Sequence, residues 1–71
     1  MNSFAKYRII AGYTQITAAD SLNIDPSTVA KWETDKAKPR SGLLLRVANL
    51  YHCSVDQLLR DEGVEGVKSV G

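Results

Sequence analysis

Between Pro26 and Arg40 the chain sets out hydrogen-bond donors at spacings that suit a polyanion. Ser27, Thr28 and Lys31 read as outward positions of one short helix, with Lys31 one turn beyond Ser27 and on the same face. A Lys ammonium can donate to guanine O6 or N7, a Ser or Thr hydroxyl can serve either kind of base edge, and the Thr methyl can meet a thymine methyl. Pro26 shares the outward face but has no donor. Lys36, Lys38 and Arg40 follow in a loop whose only acid is Asp35. Such a loop can lie along a phosphate backbone, where contacts give position without sequence information. The same residues also describe a solvated helix followed by a solvated loop, so residue type alone does not decide. Asp25 works against the phosphate reading unless its carboxylate is held by capping bonds. A chain with one His and one Cys offers no Ser/His/Asp set, no Walker loop and no metal-ligand spacing. His52 stands without a ligand set and Cys53 reads as a small core residue. Catalytic, cofactor and metal residues are expected to be none, and enzymes have no positive sign here.

The elements that must hold these donors run from Gln15 to Thr34. Ala18, Ala19 and Leu22 form one apolar set, and Val29 and Trp32 form another at i, i+3 spacing. Asn23 lies between them, where a helix end favours a residue that tolerates positive φ. Ile24 returns to the core. Asp25-Pro26 is a start signal, because Asp accepts from first-turn amides and Pro at the first position loses no needed donor. Ala19 is small where crossing helices would touch. Two short helices and a tight turn are the pattern of a helix-turn-helix, a motif whose second helix enters the DNA major groove; here that helix is expected over about Pro26 to Glu33. Trp32 at an inward position is expected in the core rather than stacked on a base.

The order and spacing of several short segments resemble the phage repressor and Cro family, also called the XRE family, from about Phe4 to Leu59. They are Phe4, Tyr7 and Arg8; Gly12 to Gln15; Ala19, Leu22, Ile24, Val29 and Trp32; Lys31 to Glu33; Lys38-Pro39; Leu43 to Tyr51; and Ser54 to Leu59. The resemblance implies that Gln15, beside the N-cap Thr14, touches a DNA phosphate at a helix N-terminus. It implies that Ser27, Thr28, Lys31 and, less directly, Pro26 face bases, and that Arg8 pairs with Glu33 across the fold. It also implies that the last helix and its surroundings form a dimer contact. The chain departs from the pattern at Ile9 and Ile10, where the family usually has a polar residue. These are expected to fill space left by Ala18, with a partner-facing role as the alternative. Ile16 and Thr17 replace the usual acids, Thr34-Asp35 stands for Asn-Gly, and His52 stands for Gly.

Seventy-one residues make one domain with a marginal core. The net charge of +1 is unevenly placed, at +3 over residues 1–50 and −2 over residues 51–71. Ser3 is expected to cap a first helix running through Ala11 and ended by Gly12, Pro39 to keep helix three from running on, and Ser41 to cap helix four. Leu43, Leu44, Leu45, Val47, Ala48, Leu50 and Tyr51 should form a central helix under the helix-turn-helix, with Leu44, Val47 and Leu50 buried. Ser54 and Gln57 make a capping box for helix five, closed by Leu58 and Leu59. The expected fold is therefore all-α, a compact four- to five-helix repressor-like domain over residues 1–59, followed by a flexible tail over 60–71 with Val64, Val67 and Val70. No apolar run approaches a membrane span and no secretory signal opens the chain, so a cytoplasmic, nucleoid-associated setting is expected. The implied function is sequence-specific binding of double-stranded DNA by a bacterial or phage transcription regulator, a repressor acting as a homodimer on an inverted repeat. The alternative is an antitoxin or other interaction module that docks a protein partner through Ile9, Ile10, Ile16 or the tail.

Overall fold

A helix leaves up to four amides and four carbonyls without partners inside it, and in helices of five to ten residues those ends are most of the element. The computed structural model describes residues 1–60, and it shows how this chain closes its helix ends. The order is α1 (Ser3–Ile10), α2 (Gln15–Leu22), α3 (Pro26–Glu33), α4 (Ser41–Leu50) and α5 (Val55–Leu59), an all-α fold of the expected class. The expected tail, with its three valines, lies outside the described residues beyond Arg60.

The first four helices end in the same way. Gly12, Asn23, Asp35 and His52 all have positive φ, from 58° to 89°. The amide after each folds back on the closing turn: Tyr13 to the Arg8 carbonyl at 3.1 Å, Ile24 to Ala19 at 3.0 Å, Lys36 to Lys31 at 2.9 Å, and Cys53 to Ala48 at 3.0 Å. This is the Schellman closure. Tyr13, Ile24 and Cys53 then pack against the core, so each reversal also inserts an apolar side chain. The closure at Asp35 is what ends α3. Pro39 lies beyond it and is not the stop that its position suggests.

The starts differ from expectation at two helices. Asn2, not Ser3, is the N-cap of α1, its Oδ1 accepting from the Ala5 amide at 3.1 Å. Ser3 is buried at 3% exposure, and its hydroxyl donates to the Arg60 carbonyl, joining the two ends of the described chain. Helix α4 begins at Ser41 with Arg40 as N-cap and no side-chain cap bond, so Ser41 is not a cap. Thr14, Asp25 and Ser54 cap α2, α3 and α5 as read, and Ser54 and Gln57 complete their capping box.

Phe4, Ala18, Ala19, Leu22, Val29, Trp32, Val47, Ala48, Tyr51 and Leu58 form the core. Ala18 and Ala19 are fully buried, which lets α2 pack closely on its neighbours. The Phe4 and Trp32 rings lie 6.0 Å apart between centroids. Val29 and Val47, also fully buried, each contribute about 1.5–3 kcal/mol. Leu44 and Leu50 are only half-buried, and Leu45 and Leu59 are exposed. Ile9 and Ile10 do not fill space near Ala18; they are 52% and 66% exposed. At 100° per residue, Phe4, Tyr7, Arg8 and Ala11 define the inner face of the first turns, and both isoleucines fall on the opposite side. Among the described residues, no helix is long and apolar enough to cross a membrane.

Candidate nucleic-acid interface

Helix α3 presents its expected outward residues on a well-anchored start. Asp25 Oδ1 accepts from the Ser27 amide at 2.9 Å. Hydrogen bonds from Ser27 hold the Asp25 carboxyl below the usual carboxylate range, with Lys31 adding a smaller electrostatic pull. The carboxylate that opposes phosphate is thus committed to its cap. Pro26, Ser27 and Lys31 are exposed, Thr28 is half-buried, and Val29 and Trp32 point into the core. Trp32 is 1% exposed, which rules out base stacking by its ring.

The basic loop is tied to the far end of the same helix. The Schellman bond from Lys36 to the Lys31 carbonyl turns the chain there, and the Ala37 amide reaches that carbonyl too, at 3.4 Å. Asn2 secures the loop from α1, its Nδ2 donating to the Trp32 carbonyl at 2.8 Å and to Asp35 Oδ1 at 3.3 Å. Lys36, Lys38 and Arg40 are all exposed. Lys38 stands 3.7 Å from Asp35, with both side chains more than half exposed, a pairing of little strength in water. Arg40, as the N-cap of α4, sits at the loop's end.

At the start of α2, Thr14 and Thr17 cap each other. Thr14 Oγ1 accepts from the Thr17 amide at 3.0 Å, and the Thr14 amide donates to Thr17 Oγ1 at 2.9 Å. The Thr14 hydroxyl also donates to Thr17 Oγ1 at 3.1 Å, so it is engaged in the cap. The amides of Gln15 and Ile16, at the first two helical positions, have no intrahelical partner. Thr17 was legible only as a missing acid; a Thr three residues after a Thr cap was the overlooked signal for this box.

Glu33 at the end of α3 gathers the surrounding elements. Arg8 Nε donates to Glu33 Oε2 at 2.7 Å and Arg8 Nη2 to Oε1 at 3.1 Å. Gln15 Nε2 donates to the same Oε1 at 3.0 Å. Arg8 Nη1 reaches the Tyr13 carbonyl at 2.8 Å. Hydrogen bonding to Glu33 raises the Arg8 pKa, against a smaller cost of burial. The buried Tyr51 hydroxyl has no protein partner among the described residues, and burial together with Glu33 pushes the phenol up to about 12. Cys53 is half-buried, its thiol pushed up by burial, the reverse of what a reactive thiolate needs.

The structure therefore brings Gln15 to the end of α3 and joins Lys36 to Lys31, while Ser27, Thr28 and Lys31 share one helix. One support has no sequence signal: Arg46 Nη2 donates to the Leu22 carbonyl at 3.1 Å, tying α4 to the end of α2 just before the turn. Among the described residues, no three His, Cys, Asp or Glu side chains are grouped to hold a metal ion.

The helix-turn-helix family model matches residues 4–58. Among curated proteins, the chain is similar to the HTH-type transcriptional regulator ImmR of Bacillus subtilis (strain 168), with 45% identity over 53 residues covering 73% of this chain and 42% of that protein. The chain spans less than half the length of this curated relative. No solved structure matches it.

Proposed function

This chain belongs to the helix-turn-helix family, and from that premise we propose that it binds double-stranded DNA sequence-specifically as a small bacterial or phage transcription regulator. The observation that carries this reading is the two-sidedness of α3: Val29 and Trp32 are fixed in the core while Pro26, Ser27 and Lys31 stand out to solvent. A helix rotationally locked in this way can present the same edge to every groove it enters. The similar protein's printed name, a transcriptional regulator, supports the same class.

In this reading residues 1–59 are the DNA-binding domain of a cytoplasmic, nucleoid-associated protein. Helix α3 lies in the major groove; Ser27, Thr28 and Lys31 read base edges, and Pro26 packs beside them. Gln15 and Thr14 at the start of α2, with Lys36, Lys38 and Arg40, contact the backbone. The protein acts as a homodimer on an inverted repeat, with half-sites about one helical turn, roughly 34–36 Å, apart. It represses by occluding a promoter. Selection of bound duplexes from a random DNA pool at two salt concentrations tests this. Recovery of an inverted repeat is expected; recovery of no sequence preference, with binding lost at moderate salt, would leave only electrostatic contact and overturn it.

A second reading has its own observation. Ile9, Ile10 and Ile16 are each more than half exposed. An antitoxin or other interaction module of this fold would use them to dock a protein partner. Stoichiometric recovery of one protein from the native cell, lost on Ile9→Ser/Ile10→Ser, is the result that reading requires.

A further inference from the structure

Glu33 is a carboxylate placed where a DNA-binding surface should avoid one. It ends the helix assigned to the major groove and touches Gln15, the residue assigned to a phosphate, at 3.0 Å. Two features remove the conflict. The Glu33 side chain is only 7% exposed, and Arg8 closes on it through both carboxylate oxygens, cancelling its charge locally. What remains available is an acceptor, Oε1, facing α2. Gln15 Nε2 gives one hydrogen to it and keeps the other, together with its own carbonyl oxygen. The first-turn amides of Gln15 and Ile16, at the start of the same helix, have no intrahelical partner.

We propose that Glu33 is a positioning residue for the DNA-backbone contact: held by Arg8, it orients the Gln15 amide so that its remaining N–H and the free amides of α2 address one phosphate together. The inference rests on the reading that Gln15 meets a phosphate. A Gln side chain has several rotatable bonds, and fixing it before DNA arrives removes an ordering cost from binding. The same hydrogen bond ties the start of α2 to the end of α3, so the backbone anchor and the base-reading helix keep one spacing. Arg8 acts twice, by aligning Glu33 and by neutralising it.

The test is the cost of Gln15→Ala in three backgrounds of the full chain, measured as binding to the selected duplex. The first is the natural sequence. The second is Arg8→Met/Glu33→Gln, which removes both charges but keeps an oxygen that accepts from Gln15. The third is Arg8→Met/Glu33→Met, which removes both charges and the acceptor. Neither double variant strands a buried charge. Gln15→Ala is expected to weaken binding roughly tenfold in the first two backgrounds, the scale of one charged hydrogen bond, and less than twofold in the third. A purely structural role for Glu33 lowers overall affinity or stability but leaves the Gln15→Ala cost equal in all three, and that equality would overturn the proposal. A natural chain that selects no duplex fails the DNA-binding reading itself. A chain that selects one but tolerates Gln15→Ala fails the phosphate assignment and the proposal with it. If either double variant does not fold, NMR relaxation of the Gln15 side-chain amide in the free natural protein decides: an ordered group is expected, and a freely rotating one overturns the proposal.

Discussion

Arg8 and Glu33, 25 residues apart in sequence, meet fork to fork, with Nε to Oε2 at 2.7 Å and Nη2 to Oε1 at 3.1 Å. The side chains are 13% and 7% exposed, so the pair is largely desolvated and neither partner can be lost cheaply. Arg8→Ala leaves the largely buried Glu33 carboxylate without its cation, and is expected to cost about 3 kcal/mol in urea unfolding. Arg8→Met/Glu33→Met, which removes both charges and retains volume, is expected to cost less than either single alanine change. If the losses in Arg8→Met and Glu33→Met taken singly simply add in that double variant, the two residues are not coupled.

Tyr51 gives the fold an alkaline weakness. Its phenol is pushed up to about 12, first by burial and then by Glu33, with Arg8 opposing. The unfolded chain releases this proton near pH 10 and the folded chain does not. The group's contribution to stability is therefore whole below pH 10 and is lost as pH rises toward 12, reaching about 2–3 kcal/mol at full titration. Tyr51→Phe also removes a buried hydroxyl that has no partner among the described residues. It is expected to be neutral or stabilising by about 1 kcal/mol at pH 7, and to flatten the loss of thermal stability between pH 10 and 12. An unchanged pH profile in Tyr51→Phe would assign that loss to other groups.

The helix reversals were legible because their chemistry is local. Gly12 and Asn23 each announced a helix end, and Asp25-Pro26 announced a helix start, from types that suit those φ values and caps, whereas Asp35 and His52 were marked only through the resemblance. What was not legible depended on register or on distance in the chain. Asn2 and Ser3 are both good caps, and only the packing that draws the Ser3 hydroxyl to the Arg60 carbonyl decides between them. Ile9 and Ile10 looked like core because apolar side chains usually are, yet the inner face of α1 was already filled by Phe4, Tyr7 and Arg8. The Arg8–Glu33 pair entered through a resemblance rather than through spacing. Gln15 to Glu33 and Arg46 to the Leu22 carbonyl had no sequence sign, since neither pair shares an element.

His52 is one of three described reversals made by a residue with a Cβ. It holds φ +58° with a side chain larger than Asn or Asp and, among the described residues, no side-chain bond that compensates. A left-handed residue with a Cβ costs about 1–2 kcal/mol, and glycine avoids that while adding unfolded-chain entropy. His52→Gly is therefore expected to stabilise the protein by about 0.5–1 kcal/mol, and His52→Val to destabilise it by more than that, both read as urea midpoints. Loss of stability in His52→Gly would mean that the imidazole makes a contact worth more than the backbone strain.

On the proposed reading, Lys31 and Lys36 have different tasks, base reading and backbone anchoring, although the Lys36 amide bonds the Lys31 carbonyl at 2.9 Å. Their backbones touch, but their side chains leave from a helix face and from a loop. Lys31→Ala is expected to reduce discrimination between the selected duplex and random duplex, at about 1–3 kcal/mol for a lost guanine contact. Lys36→Ala is expected to weaken both duplexes alike and to lower the slope of log affinity against log salt by about 1. Both are read from titrations on the two duplexes over a salt series. Equal loss on the two duplexes in Lys31→Ala would move Lys31 to the backbone set. An unchanged slope in Lys36→Ala would return the loop to solvent. Because Lys36 is exposed and holds its place through its amide, its substitution should leave the fold intact, so a change in slope reports on phosphate and not on unfolding.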